Sequence, residues 1–237
     1  MTDQRDTVAA VIVGAGQGTR MGTQVRKQYM MLGNLPVLAH TLLAFEKCNV
    51  VEAIFLVVPE GDDAFCKKEI IDPLRLSKPI HLVSGGATRQ ESVYKGLKAV
   101  DAHFNTVVIH DGVRPLIRID RIAECVRVAQ EYGGCILAIP SSDTVKTVDE
   151  RDRVVTTLKR DVIRMAQTPQ AFDYDIILGA HLAARKEAYL GNDDAELVEQ
   201  LGKAVKVIPG DPHNIKINTP EDLKIAEAHL SKVGACR

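Results

Sequence analysis

The chain has 237 residues, of which 46% are apolar and 26% are charged, and this composition excludes disordered and fibrous proteins. Thirty basic and thirty-one acidic residues give a net charge of -1, so no global field attracts nucleic acid or an anionic membrane. The longest apolar runs are far shorter than the ~20 residues of a membrane-spanning helix, which excludes a helical membrane protein.

The N-terminus and the cysteines bear on the cellular compartment. Residues 1–7 are polar and acidic and contain no apolar signal core, so we expect a cytoplasmic protein. Five cysteines occur without a Cys-x-x-Cys pair, and in a reducing compartment they should be free, buried thiols. The seven histidines do not have the spacing of a structural zinc site.

The first half of the chain alternates β-branched runs with amphipathic segments. The pattern predicts strands at 7–13, 53–58 and 80–83, with a helix at 37–48 between the first two. A Thr-Arg-Gln-Glu capping box beginning at Thr88 predicts a further helix. This alternation of strands and helices predicts a mostly parallel sheet that is covered by helices on both faces.

The same alternation continues in the second half. We predict a strand at 106–109, a helix at 119–132 and a strand at 135–139, and the sequence Thr-Pro-Glu-Asp at 219–222 predicts the start of a last helix. We find no repeat, low-complexity tract or interdomain linker, so we expect one domain over 1–237. The expected fold is α/β, with a Rossmann-like, mostly parallel sheet flanked by helices.

One segment, residues 141–160, interrupts this alternation, and we call it the arm. Two strand-like stretches, 144–148 and 154–158, flank a charged tip at 149–152, which predicts a β-hairpin inserted in the α/β domain. An isolated hairpin is marginally stable in water, so the arm should pack against something, and a second subunit is the favoured partner. A solvated surface excursion remains the alternative.

A glycine-rich segment at 14–22 follows the first strand, and glycines there let backbone N–H groups approach phosphate oxygens. A dinucleotide fingerprint would need Gly where Thr19 stands, and a P-loop would need Gly-Lys-Ser/Thr. The third interpretation is the loop of polyol-phosphate nucleotidyltransferases, in which an Arg and a downstream Lys meet the triphosphate, and Arg20 and Lys27 fit it. A simple tight turn also remains open.

Asp111 stands at the end of the strand predicted at 106–109, at the edge where open α/β sheets bind ligands. A carboxylate there suits Mg²⁺, which takes few protein ligands and keeps waters and phosphate oxygens. We therefore expect Mg²⁺ or another divalent cation as cofactor, with Asp111 as the metal ligand. The alternative is that this Asp-Gly pair only forms a turn.

Eight short motifs occur in an order that resembles the 2-C-methyl-D-erythritol 4-phosphate cytidylyltransferase family over residues 7–232. They are GAGQGTRM at 14–21, RKQY at 26–29, GGATRQESV at 85–93, HDGVRP at 110–115, DTVK at 143–146, TPQAF at 168–172, DDA at 193–195 and NIKI at 214–217. The resemblance implies transfer of CMP from CTP to methylerythritol 4-phosphate, with release of pyrophosphate, in non-mevalonate isoprenoid biosynthesis.

The resemblance also implies roles for individual residues. Arg20 and Lys27 would stabilise the crowded α-phosphate and the leaving pyrophosphate. The CTP side would be formed by Gly14, Ala15, Gly16, Gly18, Gly85, Gly86 and Ser92. The acceptor side would be formed by Arg114, Thr144, Arg160, Thr168, Asn192 and Lys216.

In the family the arm crosses to a partner subunit and supplies acceptor-binding groups there, so the resemblance implies a homodimer. The chain departs from the family at Val13, Gly14, Arg26, Ala87 and Asn192, which leaves fine loop geometry open but not the reaction. Because the chain ends just after the last predicted helix, we expect the form without a fused cyclodiphosphate synthase domain.

Two other functions stay open. Ribitol-5-phosphate cytidylyltransferases share the fold, CTP and the Thr-Pro-Gln motif, although the arm and the Asn-Ile-Lys-Ile segment resemble the methylerythritol family more closely. A catalytically silent nucleotide-binding regulator is the other alternative. It would not need the set of charged residues retained here, namely Arg20, Lys27, Asp111, Arg160 and Lys216.

Overall fold

The structure, a computed structural model, describes residues 6–16 and 25–234, with side chains described up to residue 230. The strands are β1 (Val8–Val13), β2 (Met31–Leu32), β3 (Leu35–Pro36), β4 (Ala53–Val58), β5 (Ile80–Ser84), β6 (Thr106–Asp111), β7 (Gly134–Pro140), β8 (Lys146–Val148), β9 (Val154–Thr157), β10 (Arg164–Asp173) and β11 (Lys206–Pro209). The α-helices are α1 (Val37–Glu46), α2 (Asp63–Cys66), α3 (Asp72–Leu74), α4 (Arg89–Ala99), α5 (Ile119–Tyr132), α6 (Tyr174–Lys186), α7 (Asp194–Gln200) and α8 (Pro220–Gly234). A π-helical segment at Lys67–Ile71 joins α2 to α3, and 3₁₀ turns lie at Lys27–Tyr29 and Arg160–Val162.

Within the described residues, seven strands form the central sheet in the order β11-β7-β10-β6-β1-β4-β5. All neighbouring strands are parallel except β10, which runs antiparallel to both β6 and β7. The Rossmann-like, mostly parallel sheet predicted from the sequence is therefore confirmed. Parallel strands end at a common edge, and this places the loops after β1, β5 and β6 together.

The sheet is buried on both faces because the two sets of alternating side chains pack against different helices. Along β1, Val8, Ala10 and Ile12 belong to the core that contains residues of α1 and α5. Ala9 and Val11 belong to the opposite core, which contains residues of α4, α6 and α7. Continuous apolar strands are what a sheet covered on both sides requires.

Helix starts agree with the capping predictions. The Thr88 hydroxyl accepts a hydrogen bond from the Glu91 N–H at 3.1 Å, and α4 begins one residue later. At α8 the Thr219 hydroxyl accepts from the Asp222 N–H at 3.2 Å, and the Asp222 carboxylate accepts from the Thr219 N–H at 2.9 Å. These side chains satisfy backbone donors that the first helical turn leaves unpaired.

The patterns in the second half of the sequence do not predict four of its elements, namely β10, α6, α7 and β11. The centre of β10 is buried between two neighbouring strands, although Pro169 argues against a central strand because it has no N–H to donate. The sheet accommodates Pro169 at a register shift between Gln167 and Gln170, where the pairing with β7 is interrupted. The Asp173 carboxylate then caps α6 by accepting from the Ile176 N–H at 3.0 Å.

The inserted hairpin is also confirmed, with strands slightly shorter than predicted. β8 and β9 pair antiparallel in a sheet of their own, and both strands are exposed along their whole length. Elsewhere in the described chain, Cys48, Cys66, Cys125 and Cys135 are buried free thiols, as predicted, and Cys236 lies outside the described residues. None of the helices in the described part is both long and apolar enough to span a membrane.

Candidate active site

A cavity of about 200 Å³ opens at the edge of the sheet where β1, β5 and β6 end. Its wall comes from the loops after these strands, the start of α4, the 3₁₀ turn at Lys27–Tyr29 and the segment before α8. The lining residues are Val13, Gly14, Ala15, Gly16, Lys27, Gln28, Gly86, Ala87, Thr88, Arg89, Ser92, Asp111, Val113 and Lys216. Eight residues predicted as site residues are among them: Gly14, Ala15, Gly16, Lys27, Gly86, Ser92, Asp111 and Lys216.

Gln28 holds the described start of the glycine-rich segment, residues 14–16. Its buried side-chain amide donates from Nε2 to the Gly14 carbonyl at 2.6 Å and to the Gly16 carbonyl at 3.0 Å. The Gly14 N–H donates to the Val57 carbonyl and so continues the sheet. Among the described residues the N–H groups of Ala15 and Gly16 have no hydrogen-bond partner, so these two donors can meet phosphate oxygens.

The loop after β5 packs against the loop after β1, and this close packing requires glycine at position 85. A Cβ on Gly85 would lie 2.4 Å from the Ala15 Cβ, which is too close for any side chain. The Gly86 N–H donates to the Ser92 hydroxyl at 3.0 Å, and that hydroxyl donates to the Thr88 carbonyl at 2.9 Å. Gly85 therefore acts through this close approach, while Gly86 and Ser92 line the pocket.

Three cations converge on the carboxylate of Asp111, the last residue of β6, and we call these four residues the Asp111 cluster. The Asp111 Oδ1 accepts from Arg89 Nε at 2.9 Å, and Oδ2 lies 2.9 Å from Lys216 Nζ and 3.4 Å from Arg114 Nε. Burial alone would raise the pKa of Asp111, but Arg89, Lys216 and Arg114 together hold that pKa well below its ordinary value. Asp111 is thus a buried, ionised carboxylate.

Two acceptor-side residues predicted from the sequence, Thr168 and Arg114, contact Asp111 but lie outside the cavity lining. The Thr168 hydroxyl accepts from the Asp111 N–H at 3.0 Å, from the point where β10 shifts register. Arg114 also donates from Nη1 to the Asn214 carbonyl at 2.7 Å. Thr168 and Arg114 are therefore in position to hold Asp111, although neither lines the cavity.

Lys27 is oriented by a residue far along the chain. Its Nζ donates to the Oδ1 of Asn218 at 2.6 Å, and the Asn218 N–H donates to the Asp222 carboxylate at the start of α8. Asn218 follows Lys216 by two residues. The segment before α8 thus contacts both Lys27 and, through Lys216, Asp111.

Other predicted site residues lie away from the cavity within one chain. Thr144 and Arg160 are exposed at the base of the arm, and Arg160 donates from Nη1 to the Ser142 carbonyl at 3.3 Å. Asn192 is exposed, and its side-chain amide donates to the Glu196 carboxylate at 2.8 Å. Gly18 and Arg20 lie outside the described residues.

Sequence reasoning missed four residues of this site: Gln28, Arg89, Asp194 and Asn218. Each except Asn218 stands inside a motif that was singled out, but the motif did not reveal its contact. Their partners are remote in the chain, as for Arg89 and Asp194, which form a 2.9 Å ion pair. No local spacing predicts such a pair.

The fold and the cavity define an α/β protein of the nucleotidyltransferase class, with a glycine-rich loop, two lysines and one carboxylate around a pocket at the strand ends. A family model described as 2-C-methyl-D-erythritol 4-phosphate cytidylyltransferase matches residues 8–232. The chain belongs to this family.

Individual relatives agree with this assignment. The chain is 43% identical to the 2-C-methyl-D-erythritol 4-phosphate cytidylyltransferase of Geobacter metallireducens over 95% of this chain and 98% of the relative. It is 46% identical to the protein of the same name from Pelotomaculum thermopropionicum over 94% of each chain. A solved structure of 4-diphosphocytidyl-2C-methyl-D-erythritol synthase from Anaerococcus prevotii matches with a TM-score of 0.87 and 32% identity over 95% of this chain and 96% of that chain.

Proposed function

We propose that this protein transfers CMP from CTP to 2-C-methyl-D-erythritol 4-phosphate and releases pyrophosphate. The observation that carries the proposal is the composition of one cavity lining. It brings Lys27, Asp111 and Lys216 together with Ala15 and Gly16, whose N–H groups have no partner among the described residues. Family membership supplies the identity of both substrates.

The reaction joins two anions, so positioning and charge neutralisation dominate catalysis. An oxygen of the acceptor phosphate attacks the α-phosphorus of CTP, a new P–O bond forms, and the bond to the bridging α,β-oxygen breaks with its electron pair on pyrophosphate. We assign the α-phosphate and the leaving group to Lys27 and the acceptor phosphate to Lys216. Both lysines line the cavity.

We also propose that Asp111 holds a Mg²⁺ ion that accompanies the nucleotide. Within the described residues, no three His, Cys, Asp or Glu side chains form a metal cluster. Mg²⁺ needs only one or two carboxylates when phosphates and waters supply the other ligands. Asp111 is the carboxylate that lines the cavity in the described part of the chain, and the ion would share it with Arg89 and Lys216, which contact Oδ1 and Oδ2. The ion would neutralise charge on the triphosphate.

The arm is proposed to complete the site of a second subunit. Its strands expose valines that a solvated hairpin does not need, with Val154 and Val155 61% and 66% exposed. Thr144 and Arg160, which the family resemblance assigns to the acceptor, stand on this arm and do not line the cavity of their own chain. A homodimer with exchanged arms accounts for both observations.

Turnover with purified protein, CTP and Mg²⁺ tests the function. We expect release of pyrophosphate and formation of CDP-methylerythritol, both observed by ³¹P NMR, when methylerythritol 4-phosphate is supplied. Lys27→Ala should abolish most of this turnover, whereas Lys224→Ala, an exposed lysine on α8, serves as the matched control. Turnover with ribitol 5-phosphate instead would assign the other acceptor, and no turnover with either would indicate a nucleotide-binding regulator.

A further inference from the structure

Arg89 lines the cavity and bridges two buried carboxylates. Its Nε lies 2.9 Å from Asp111 Oδ1 and its Nη2 lies 2.9 Å from Asp194 Oδ2. The two carboxylate side chains are 7% and 1% exposed, and that of Arg89 is 28% exposed. One planar guanidinium therefore connects the end of β6 to the start of α7.

The position of Arg89 is unfavourable for the helix that it begins. Arg89 is the first residue of α4, where the positive end of the helix dipole disfavours a cation. Its side chain instead contacts the carboxylates of Asp111 and Asp194, at 2.9 Å each. Its two carboxylate partners, and not helix stability, thus explain the placement of this arginine.

Asp194 gives the bridge a rigid anchor. Its N–H donates to the Gln170 side-chain carbonyl on β10 at 3.2 Å, and its Oδ1 lies 3.3 Å from His181 Nε2 on α6. Both His181 and Asp194 are buried. Asp194 of α7 thus contacts both β10 and α6, and Arg89 connects the Asp111 carboxylate to these three elements.

The other oxygen of Asp111 contacts the lysine that we assign to the acceptor phosphate. Arg89 occupies Oδ1, which leaves Oδ2 at 2.9 Å from Lys216 Nζ. Rotation of the Asp111 carboxylate would move this lysine contact. A contact that holds Oδ1 in place, such as that of Arg89, therefore also holds the Lys216 ammonium group in place.

We propose that Arg89 is a positioning residue for the acceptor side of the site, holding Asp111 against Asp194 so that Lys216 faces the acceptor phosphate. The inference rests on the proposed function for the identity of the acceptor. A lysine cannot replace Arg89, because one ammonium group cannot donate to Asp111 and pair with Asp194 at the same time, as the planar guanidinium does.

Steady-state kinetics with Arg89→Lys and Arg89→Ala test the proposal, with Arg127→Ala, an exposed arginine on α5, as the control. We expect the KM for methylerythritol 4-phosphate to rise roughly tenfold or more, as for loss of one charged hydrogen bond, with little change in the KM for CTP. Added guanidinium should partly restore Arg89→Ala, because it can occupy the vacated position between the carboxylates, and should not affect Arg127→Ala. If Arg89→Ala does not fold, Arg89→Lys, which keeps the charge, carries the kinetic test.

Other kinetic patterns would overturn the proposal. A rise in the KM for CTP alone would make Arg89 a triphosphate ligand, and unchanged constants would give it no role in positioning. Crystal structures provide a readout that is independent of turnover. We expect the Asp111 carboxylate and Lys216 Nζ to shift in Arg89→Lys relative to the wild type, and an unchanged pair would also refute the inference. If the wild type turns over neither acceptor, the proposed function fails while this comparison still decides the positioning role.

Discussion

At the scale of single residues, Asp111 pairs with three cations in the fold and is the proposed metal ligand. Asp111→Asn keeps the size of the side chain but leaves Arg89, Arg114 and Lys216 without their shared charge. At pH 7 we expect turnover to fall by orders of magnitude, because the variant cannot hold a hard cation. The free energy of unfolding should fall by about 3–5 kcal/mol, as when one partner of a buried pair is removed.

The pH dependence of this difference gives an independent check. Because the pKa of Asp111 is depressed in the folded state, its contribution is fully present above the unfolded value of about 3.9 and is lost as the pH falls towards the lower folded value. Urea unfolding of both proteins at several pH values should show the stability difference shrinking below about pH 4. A difference that stays constant with pH would contradict an ionised, paired Asp111.

Substitution of the two cavity lysines should separate an effect on substrate binding from an effect on the chemical step. In the proposed reaction Lys27 faces the α-phosphate, where crowding and charge increase as the acceptor arrives, so Lys27→Ala should chiefly lower kcat, by ~10²-fold. Lys216 is proposed to meet a phosphate that is charged before and during the reaction, so Lys216→Ala should chiefly raise the KM for the polyol phosphate. Steady-state kinetics with each substrate varied in turn measure this split. A rise in the KM for CTP alone in Lys216→Ala would reverse the assignment.

At the scale of elements, both strands of the arm are exposed along their whole length within the described chain. Successive side chains of a strand point to opposite faces, and both Val154 and Val155 of β9 are exposed. The double change Val154→Glu and Val155→Glu should therefore shift a dimer towards monomer in sedimentation velocity. The matched control is Val207→Glu on β11, a valine that is 49% exposed outside the arm. Equal sedimentation of all three proteins would indicate a solvated arm.

At the scale of the whole molecule, exchanged arms would make each site composite. We expect Lys27→Ala to inactivate the nucleotide side and Arg160→Ala to inactivate the arm. When the two inactive proteins are mixed, one site of each heterodimer combines an intact nucleotide side with an intact arm, so activity should partly return. Subunit exchange, followed with two affinity tags, is the necessary control. Exchange without recovered activity would count against composite sites.

Local patterns in the sequence determined much of this protein. Short β-branched runs predicted the strands on either side of β1. Capping residues predicted the starts of α4 and α8, and the polar segment at 141–160 predicted the arm. Lys27, Asp111 and Lys216 were recognised because each stands in a short motif, and parallel strands bring their carboxyl ends to one edge whatever the details of packing.

Tertiary structure alone decided the contacts between remote segments. The sequence of β10 contains Pro169 and reads poorly as a central strand, yet burial between β6 and β7 places it there with a register shift at the proline. Arg89 is bridged to Asp111 and Asp194, which are 22 residues and 105 residues away along the chain. Periodicity and capping act within a few residues, whereas such pairs form only when packing removes the charged groups from water together.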